Sequence, residues 1–540
     1  MPGDIYDIVV VLSDSDRSTQ FPTPGTNQRV QNLGTGNIER YNGTAWVTDF
    51  VGDLTIISNP STTDYGPAIK AAIATANAAG GGTVYIPAGT WPILTTIDFQ
   101  SATNVTLRGA GFGTTLACQM ASPNAGGILA SSTTRCAIRG LRMTGAGTST
   151  TLNGLIFAQG ATQLTVDSVR FENGGNHINM NNCTYSTVSN TSHNGLTVLN
   201  SNPIFFYQCS SCSLINPIIS GFVYPTATGG TPRAINIANS TNVSVVGGSI
   251  TDVDFSNVGG GVGITFYGSQ HCTLTGMTVN GLMAGDGINC ESSSSYISIS
   301  NCNSSNNNQN TGAGGGTNPP VGDGFDIFNS SHIRISNCVA YNNGKYGDHP
   351  GFEIFTCSDV TVSNCLSQGN TNEGFVIVGT PDCHLNECVA NGNGTSGVYC
   401  TNESGPPDVE STDFRVTGGD YSGNNVTSGN TQTFEQCGIY LASSSTGAIV
   451  GARATDTKTT KTQQYGIYVA NSSYATIVGC QCDGNAVGSI VVNVVTGTPR
   501  TTTIANDPVS VTGAKGGNAA LASLLSALQG FNIITDNTTA

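Results

Sequence analysis

The residues best able to do chemistry in this sequence are its acids, because charge is scarce. Charged side chains make up 9% of the 540 residues, against about 25% in an average soluble domain. A four-residue phrase, glycine–apolar–x–apolar, recurs along the chain. In extended backbone alternate side chains point to opposite faces, so the two apolar residues should face a core and x should face solvent. Successive copies place Thr265, Asn289, Asp326, Glu353, Val376, Tyr399, Tyr440 and Tyr468 at x. Asp326 and Glu353 thus fall on consecutive copies, where like charges about one strand spacing apart repel. More acids gather beside them. Asp286, Asp323 and Glu373 each precede the glycine of a copy, and Asp348-His349 lies just ahead of Gly351.

Paired carboxylates are what glycoside hydrolysis requires. One, its pKa raised by its neighbour, protonates the leaving oxygen, while the other activates water or attacks the sugar. The pattern selects Asp326 and Glu353 as the catalytic pair, with Asp323 and Glu373 as alternates and His349 as an orienting or proton-shuttling group. Side-chain rotamers could set either the retaining or the inverting separation. Asn289, Tyr399, Tyr440 and Tyr468 continue the same outward line as candidate substrate-binding residues. A row of tyrosines suits either sugar stacking or surface packing, including packing on a second subunit. The acids could instead be solvated, or could ligate calcium through oxygen; no metal or other cofactor is expected. A lyase is the second chemistry, needing a cation and a base, and Arg334, Lys345 and Tyr346 are near in sequence. Arg334 falls in the second strand of its repeat.

The elements that must hold these residues are repeated ones. The phrase begins at Gly127, Gly154, Gly263, Gly287, Gly324, Gly351, Gly374, Gly397, Gly438 and Gly466, with weaker copies at His177, Pro203 and Ala234. From Gly324 the next three glycines follow at Gly351, Gly374 and Gly397. A second β phrase comes after several copies, as in Ile333–Cys338 and Val360–Cys365, and then an Asn/Gly turn such as Asn342-Asn343-Gly344 or Gly392-Asn393-Gly394. Two or three short strands per repeat, with tight turns between them, describe one coil of a parallel β-solenoid. Glycine and asparagine supply the positive-φ turns. The 17 cysteines show no zinc spacing and an odd count, so they read as buried reduced thiols.

An open solenoid end exposes strand edges and needs a cap. Asp64 can cap a helix over residues 64–79, with Ala68, Ile69, Ala72, Ile73 and Ala76 as its apolar stripe. Gly80-Gly81-Gly82 ends it, and Thr83-Val84-Tyr85-Ile86-Pro87-Ala88-Gly89-Thr90-Trp91 opens the first coil. This helix–glycine–strand run resembles the start of pectate-lyase-like, single-stranded right-handed β-helices, a form common in bacteriophage tailspikes. The resemblance spans residues ~60–500 and implies an all-β fold: a right-handed parallel β-helix with an N-terminal capping helix, a small N-terminal β module and a short C-terminal helix. The likeness to polygalacturonase-type β-helices is one of fold only. Their paired-Asp and Gly-His-Gly motifs are missing, and Gly322-Asp323-Gly324 stands instead.

The expected organisation is a module at 1–50, the capping helix and β-helix start at 51–110, the β-helix at 111–500, and a C-terminal helix and tail at 501–540. Short strands are expected at Asn27–Val30 and Ile38–Val47. The module resembles those that attach phage tail proteins to tail or capsid proteins of the virion. Asn518 can cap a C-terminal helix with Leu521, Leu524, Leu525 and Leu528 on one face, which resembles the endings of trimeric phage spikes and implies a homotrimer. The resemblance also implies a bacterial surface polysaccharide as partner, and a virion component assembled in the host cytoplasm. A non-enzymatic fibre or adhesin is the alternative. A net charge of −15 argues against nucleic-acid binding by bulk electrostatics. No apolar run is long enough to span a membrane, and the N-terminus lacks the basic region of a secretory signal.

Overall fold

The computed structural model describes residues 63–120, 126–145, 154–195, 202–224, 231–258, 260–308, 322–344, 349–403, 409–427, 432–442, 447–470 and 475–493, with short stretches of 9–56 and 503–539. Two compact units divide the chain: Met1–Ala227 with Ser240–Gly248, and Thr228–Asn239 with Ser249–Ala540.

In the first unit, strands Val9–Val11 and Arg29–Asn32 run parallel. Asn37–Tyr41 then pairs antiparallel with Arg29–Asn32 and with Trp46–Thr48. The short strands expected in this stretch are present. The helix spans Gly66–Ala78 and buries Ile69, Ala72, Ile73 and Ala76, while Ala68 stays half-exposed. Its N-cap is Tyr65 rather than Asp64. Asp64 sits one residue earlier and accepts from the Gly66 amide at 3.0 Å and the Leu94 amide at 2.9 Å. One carboxylate so ties the helix start to the chain that follows the first coil. Strands Ile97–Asp98, Ile128–Leu129, Ile156–Gln159, Ile178–Asn181 and Ile204–Tyr207 then pair parallel in that order.

In the second unit a longer parallel ladder runs through Arg233–Ala238, Gly261–Tyr267, Gly285–Glu291, Phe325–Phe328, Phe352–Phe355, Phe375–Val378, Val398–Thr401, Cys437–Ala442, Tyr465–Ala470 and Gly488–Asn493. All thirteen phrases lie on such ladders. The Gly154 copy is displaced by one: Ile156, not Leu155, pairs with Ile128 and Ile178. The first strand, at Ile97, and the last, at Gly488, carry no phrase.

The core is columnar. Phe325, Phe352 and Phe375 are fully buried and stack at 4.5 and 4.9 Å. Beside them runs a column of buried asparagines. Asn307, Asn343, Asn370 and Asn393 each take the side-chain Oδ1 of the next asparagine on their backbone N–H, at 3.0–3.2 Å, ending on Asn424. The column satisfies turn amides that have no strand partner, which would otherwise cost about 1–3 kcal/mol each. The glycine of the phrase is required by the next coil's backbone together with nearby side chains. A Cβ on Gly324 would lie 2.5 Å from the Gly351 carbonyl oxygen and 2.8 Å from Asn343 Nδ2. One on Gly351 would collide with Ser367 Oγ and lie 2.7 Å from Asn370 Nδ2 and 3.0 Å from the Gly374 carbonyl oxygen. Neither glycine has positive φ; what they lack is room, unlike Gly344 (φ 74°) and Gly392 (φ 64°) in the turns.

All 17 cysteines are free, and all but Cys480 are buried. Of the expected C-terminal helix, Leu525 is helical and buried; Asn518, Leu521, Leu524 and Leu528 lie outside the described residues, as do Lys345, Tyr346 and Asp348.

Candidate active site

Register decides whether the acids meet. Asp326 pairs directly with Glu353, between Phe325–Phe352 and Ile327–Ile354 pairs that are fully buried. Alternation therefore turns both carboxylates outward on adjacent coils, and both are half-exposed. The same column reads Thr265, Asn289, Asp326, Glu353, Val376, Tyr399, Tyr440 and Tyr468.

Solvent exposure, expected for the whole column, fails at three positions. Thr265, Asn289 and Val376 are buried. Two of them are enclosed by a chain of hydrogen bonds: Thr265 Oγ1 donates to Asn289 Oδ1 at 2.8 Å, and Asn289 Nδ2 donates to Asp326 Oδ2 at 2.6 Å. Asn289 thereby fixes the Asp326 carboxyl.

The acids before the glycines are buried. Asp323, 6% exposed, joins Asp326 and Glu353 in a cluster whose oxygens lie within 4.8 Å of one another. Its carboxyl faces that of Glu353 within this cluster, and the neighbouring charge adds to burial in raising its pKa. On its other side Asp323 Oδ1 meets His349 Nδ1 at 3.1 Å, and its amide donates to Asp286 Oδ1 at 2.9 Å. His349 is buried, and its Nε2 has no partner among the described residues. Glu373 is buried one coil beyond Pro350 and adds its charge to the field at Asp323. Burial first, and then the neighbouring carboxylates, push the Asp286, Asp323 and Asp326 carboxyls well above the usual range. Such acids hold protons where an ordinary carboxyl has lost them.

Three carboxylate oxygens at this spacing also form a hard-donor set of the kind that calcium or magnesium takes. Arg334, named for the lyase chemistry, is elsewhere. It belongs to strand Ser331–Ser336 of another ladder, bound to Asp359 at 2.7 Å.

The tyrosines stack on each other. Tyr399–Tyr440 and Tyr440–Tyr468 centroids are 5.7 and 5.6 Å apart, at 27° and 16°. Their faces are turned to one another, so mainly edges and hydroxyls are presented outward, and packing is what this geometry accomplishes. Burial pushes the Tyr440 phenol up to about 12. The accessible aromatics nearest the acids are two that the phrase did not reveal. Phe328 and Phe355 stand two residues after Asp326 and Glu353, hence on the same face, 5.6 Å apart and stacked, with Phe328 43% exposed. In the same outward row Glu291 binds Arg233 at 2.5 Å, and that guanidinium lies over Tyr267. Reading the outward position two residues further along each phrase finds Tyr267, Glu291, Phe328 and Phe355, though not Arg233.

The sequence matches the family described as right handed beta helix region over residues 233–414. It matches rhamnogalacturonase A/epimerase, pectate lyase-like, over residues 57–314. The second match ends before Asp323. No curated protein is matched significantly. Among solved structures, the chain is similar to the A-module of a mannuronan C-5 epimerase of Azotobacter vinelandii, at 15% identity over 84% of this chain and 98% of that one, TM-score 0.33. It is similar to tailspike protein 3 of bacteriophage CBA120, at 11% identity over 88% and 66%, TM-score 0.42. A surface adhesin of Streptococcus pneumoniae is similar at 13% identity over 83% and 98%, TM-score 0.36. By sequence match and strand pairing together, residues 57–414 carry a right-handed parallel β-helix, with the pectate-lyase-like match over residues 57–314.

Proposed function

We propose that this β-helix binds a bacterial surface polysaccharide and cleaves it by carboxylate-pair glycoside hydrolysis, as a tailspike-like, trimeric component of a phage virion attached through residues 1–50. The observation that carries the chemistry is the in-register Asp326–Glu353 pair, half-exposed and backed by buried Asp323, the oxygens of all three lying within 4.8 Å. In this reading Asp326, held by Asn289 and pushed to high pKa, is the acid that protonates the leaving oxygen. Glu353 acts on the anomeric carbon or on water. Asp323 and His349 are positioning groups that set the proton on the cluster, and Phe328 and Phe355 offer an apolar surface to a sugar ring.

The test is incubation with a panel of purified capsular polysaccharides and O-antigens, reading reducing ends. Glu353→Gln and Asp326→Asn should each lower release by about 10²–10⁴-fold while the thermal melt and oligomeric state persist. Binding without products, unaltered in either variant, would show a non-enzymatic adhesin. A second reading rests on the three oxygens within 4.8 Å: a divalent cation bound there would support uronate chemistry. Loss of activity on chelation, restored by calcium, together with unsaturated or epimerised products, would select it.

A further inference from the structure

Bases are rare in this chain, yet they are not scattered. Residues 99–232 contain five arginines, Arg108, Arg135, Arg139, Arg142 and Arg170, no lysine, and two acids, Asp167 and Glu172. This local excess of positive charge belongs to the first unit of a protein whose net charge is −15.

Strand register gathers them further. Arg108 pairs directly with Arg139, and Arg142 with Arg170. Arg139 and Arg142 lie on one strand, Ala137–Gly145, on either side of a bend at Gly140 (φ 60°). Ile138, Leu141 and Met143 of that strand are fully buried, so both arginines face outward. Arg108, Arg135, Arg139 and Arg170 are exposed and Arg142 is half-buried. Two pairs of like charges thus sit on neighbouring strands about 4.8 Å apart, an arrangement that destabilises a sheet.

Internal acids offset it only in part. Glu172 alone serves the second pair, at 2.8 Å from Arg170 Nε and 3.7 Å from Arg142 Nη1. Asp167, next in the first column after Arg139, feels that guanidinium's charge, but its hydrogen bonds are from Ser189 Oγ at 2.7 Å and Asn190 Nδ2 at 3.0 Å. Among the described residues no ion pair or hydrogen bond engages the side chains of Arg108 or Arg135, and Arg142 Nε is unpartnered. Guanidinium forks match carboxylate and sulfate groups bidentately.

We propose that the corner bearing Arg108, Arg139, Arg142 and Arg170 binds a glycan carrying carboxylate or sulfate groups. The columns continue as Thr90–Thr115–Arg142–Arg170–Ser192 and Tyr85–Arg108–Arg139–Asp167–Ser189. Of the flanking hydroxyls, Thr90 is exposed and Ser192 half-exposed, which suits sugar hydroxyls, while Thr115 is buried. Single-stranded nucleic acid calls for a run of aromatic platforms, and Tyr85 is the one aromatic residue in these two columns. The proposal goes beyond the carboxylate site: it concerns binding by the first unit and stands whether or not the second unit cleaves anything.

The test is affinity electrophoresis and calorimetry with polygalacturonate, dextran sulfate, neutral dextran and single-stranded DNA as probes. The protein should be retarded by polygalacturonate or dextran sulfate and not by dextran, with affinity falling as salt rises. Arg139→Gln/Arg170→Gln should weaken binding about tenfold or more, while Arg139→Lys/Arg170→Lys, which keeps the charge but loses the fork, should restore only part of it. Glu172→Gln should tighten binding by freeing two guanidiniums, a direction that misfolding cannot mimic. Affinity unchanged in the double glutamine variant, equal retardation by dextran, or retardation by DNA alone would each overturn the proposal.

Discussion

Acidification should loosen the first unit through two buried histidines. His177 and His193 are enclosed, stacked against Phe171 at 5.4 and 4.9 Å. Their partners fix both tautomers. His177 Nε2–H donates to the Asn173 carbonyl at 3.2 Å, so its Nδ1 is bare and accepts from His193 Nδ1–H at 3.2 Å. His193 Nε2 in turn accepts from the Thr191 hydroxyl at 3.0 Å. A proton added to His177 Nδ1 would point at another N–H, so that ring cannot charge without breaking the chain. His193 Nε2 instead faces a hydroxyl that can turn to accept, and it is burial that opposes its charging.

Burial accordingly pushes His177 from 6.5 down to about 4, and His193 falls well below its usual value through burial and then the His177 charge. The sign follows from linkage. Between about pH 6.5 and pH 4 the unfolded chain binds a proton that the folded chain refuses, so stability is intact above 6.5 and is lost as pH falls. At about 1.4 kcal/mol per pH unit, His177 alone removes roughly 3 kcal/mol across that window, and His193 acts in the same direction. Hydrogen exchange of strands Ile178–Asn181 and Ser192–Asn194 at about pH 7 and about pH 4.5 reads the effect locally. In His177→Asn/His193→Asn the baseline drops, but the loss of protection with acid should flatten. An equally steep loss in that variant would refute the argument.

The second unit should respond in the opposite sense. Raised carboxyl pKa values at Asp286, Asp323 and Asp326 mean the folded state binds the extra protons, so stability is greatest below about pH 4 and falls as pH rises through the folded values. Asp326→Asn, which keeps an acceptor for Asn289, should therefore raise the urea midpoint at neutral pH and leave it nearly unchanged in acid. Gly351→Ala should cost about 1–3 kcal/mol by crowding Asn370 and Ser367, and Ser367→Ala should recover part of it in a denaturation series. Gly392→Ala should lose about 1–2 kcal/mol through its left-handed backbone, unaided by any neighbouring truncation. Tyr440→Phe should leave glycan affinity unchanged in calorimetry, whereas Phe355→Ala should weaken it several-fold.

What the sequence makes legible is the period and the alternation. Both are set by backbone geometry, and together they give the Asp326–Glu353 pairing without coordinates. They do not reveal what lies across a turn. The contact of Asp323 with Glu353 and His349 depends on where the chain re-enters the ladder after long connections, and no residue spacing encodes that. Exposure was misjudged at Thr265 and Asn289, because alternation says which way a side chain points and not whether its neighbours close over it. The repeat glycine was legible as a marker but not as a cause, since its reason is the close approach of the next coil's backbone carbonyl and of side chains such as Ser367 and Asn343. The arginine corner was hidden by averaging, because a low overall base content says nothing about where the bases fall.

A stack of coils turns every substitution into part of a column, and columns treat residue types very differently. Phenylalanine on phenylalanine, tyrosine on tyrosine and asparagine on asparagine each gain from repetition, through ring stacking or a hydrogen bond handed from coil to coil. Like charges lose from it, because the strand spacing is too short to separate them and the pairing holds them in line. Asp326 on Glu353 and Arg108 on Arg139 are therefore places where this architecture works against its own stability. Local conflict of that kind is where function is sought. The two differ in what would relieve them: the raised carboxyl pKa values let the acids take up protons within the cluster, while the arginines, with two carboxylates for five guanidiniums, would be relieved by the anionic glycan we propose.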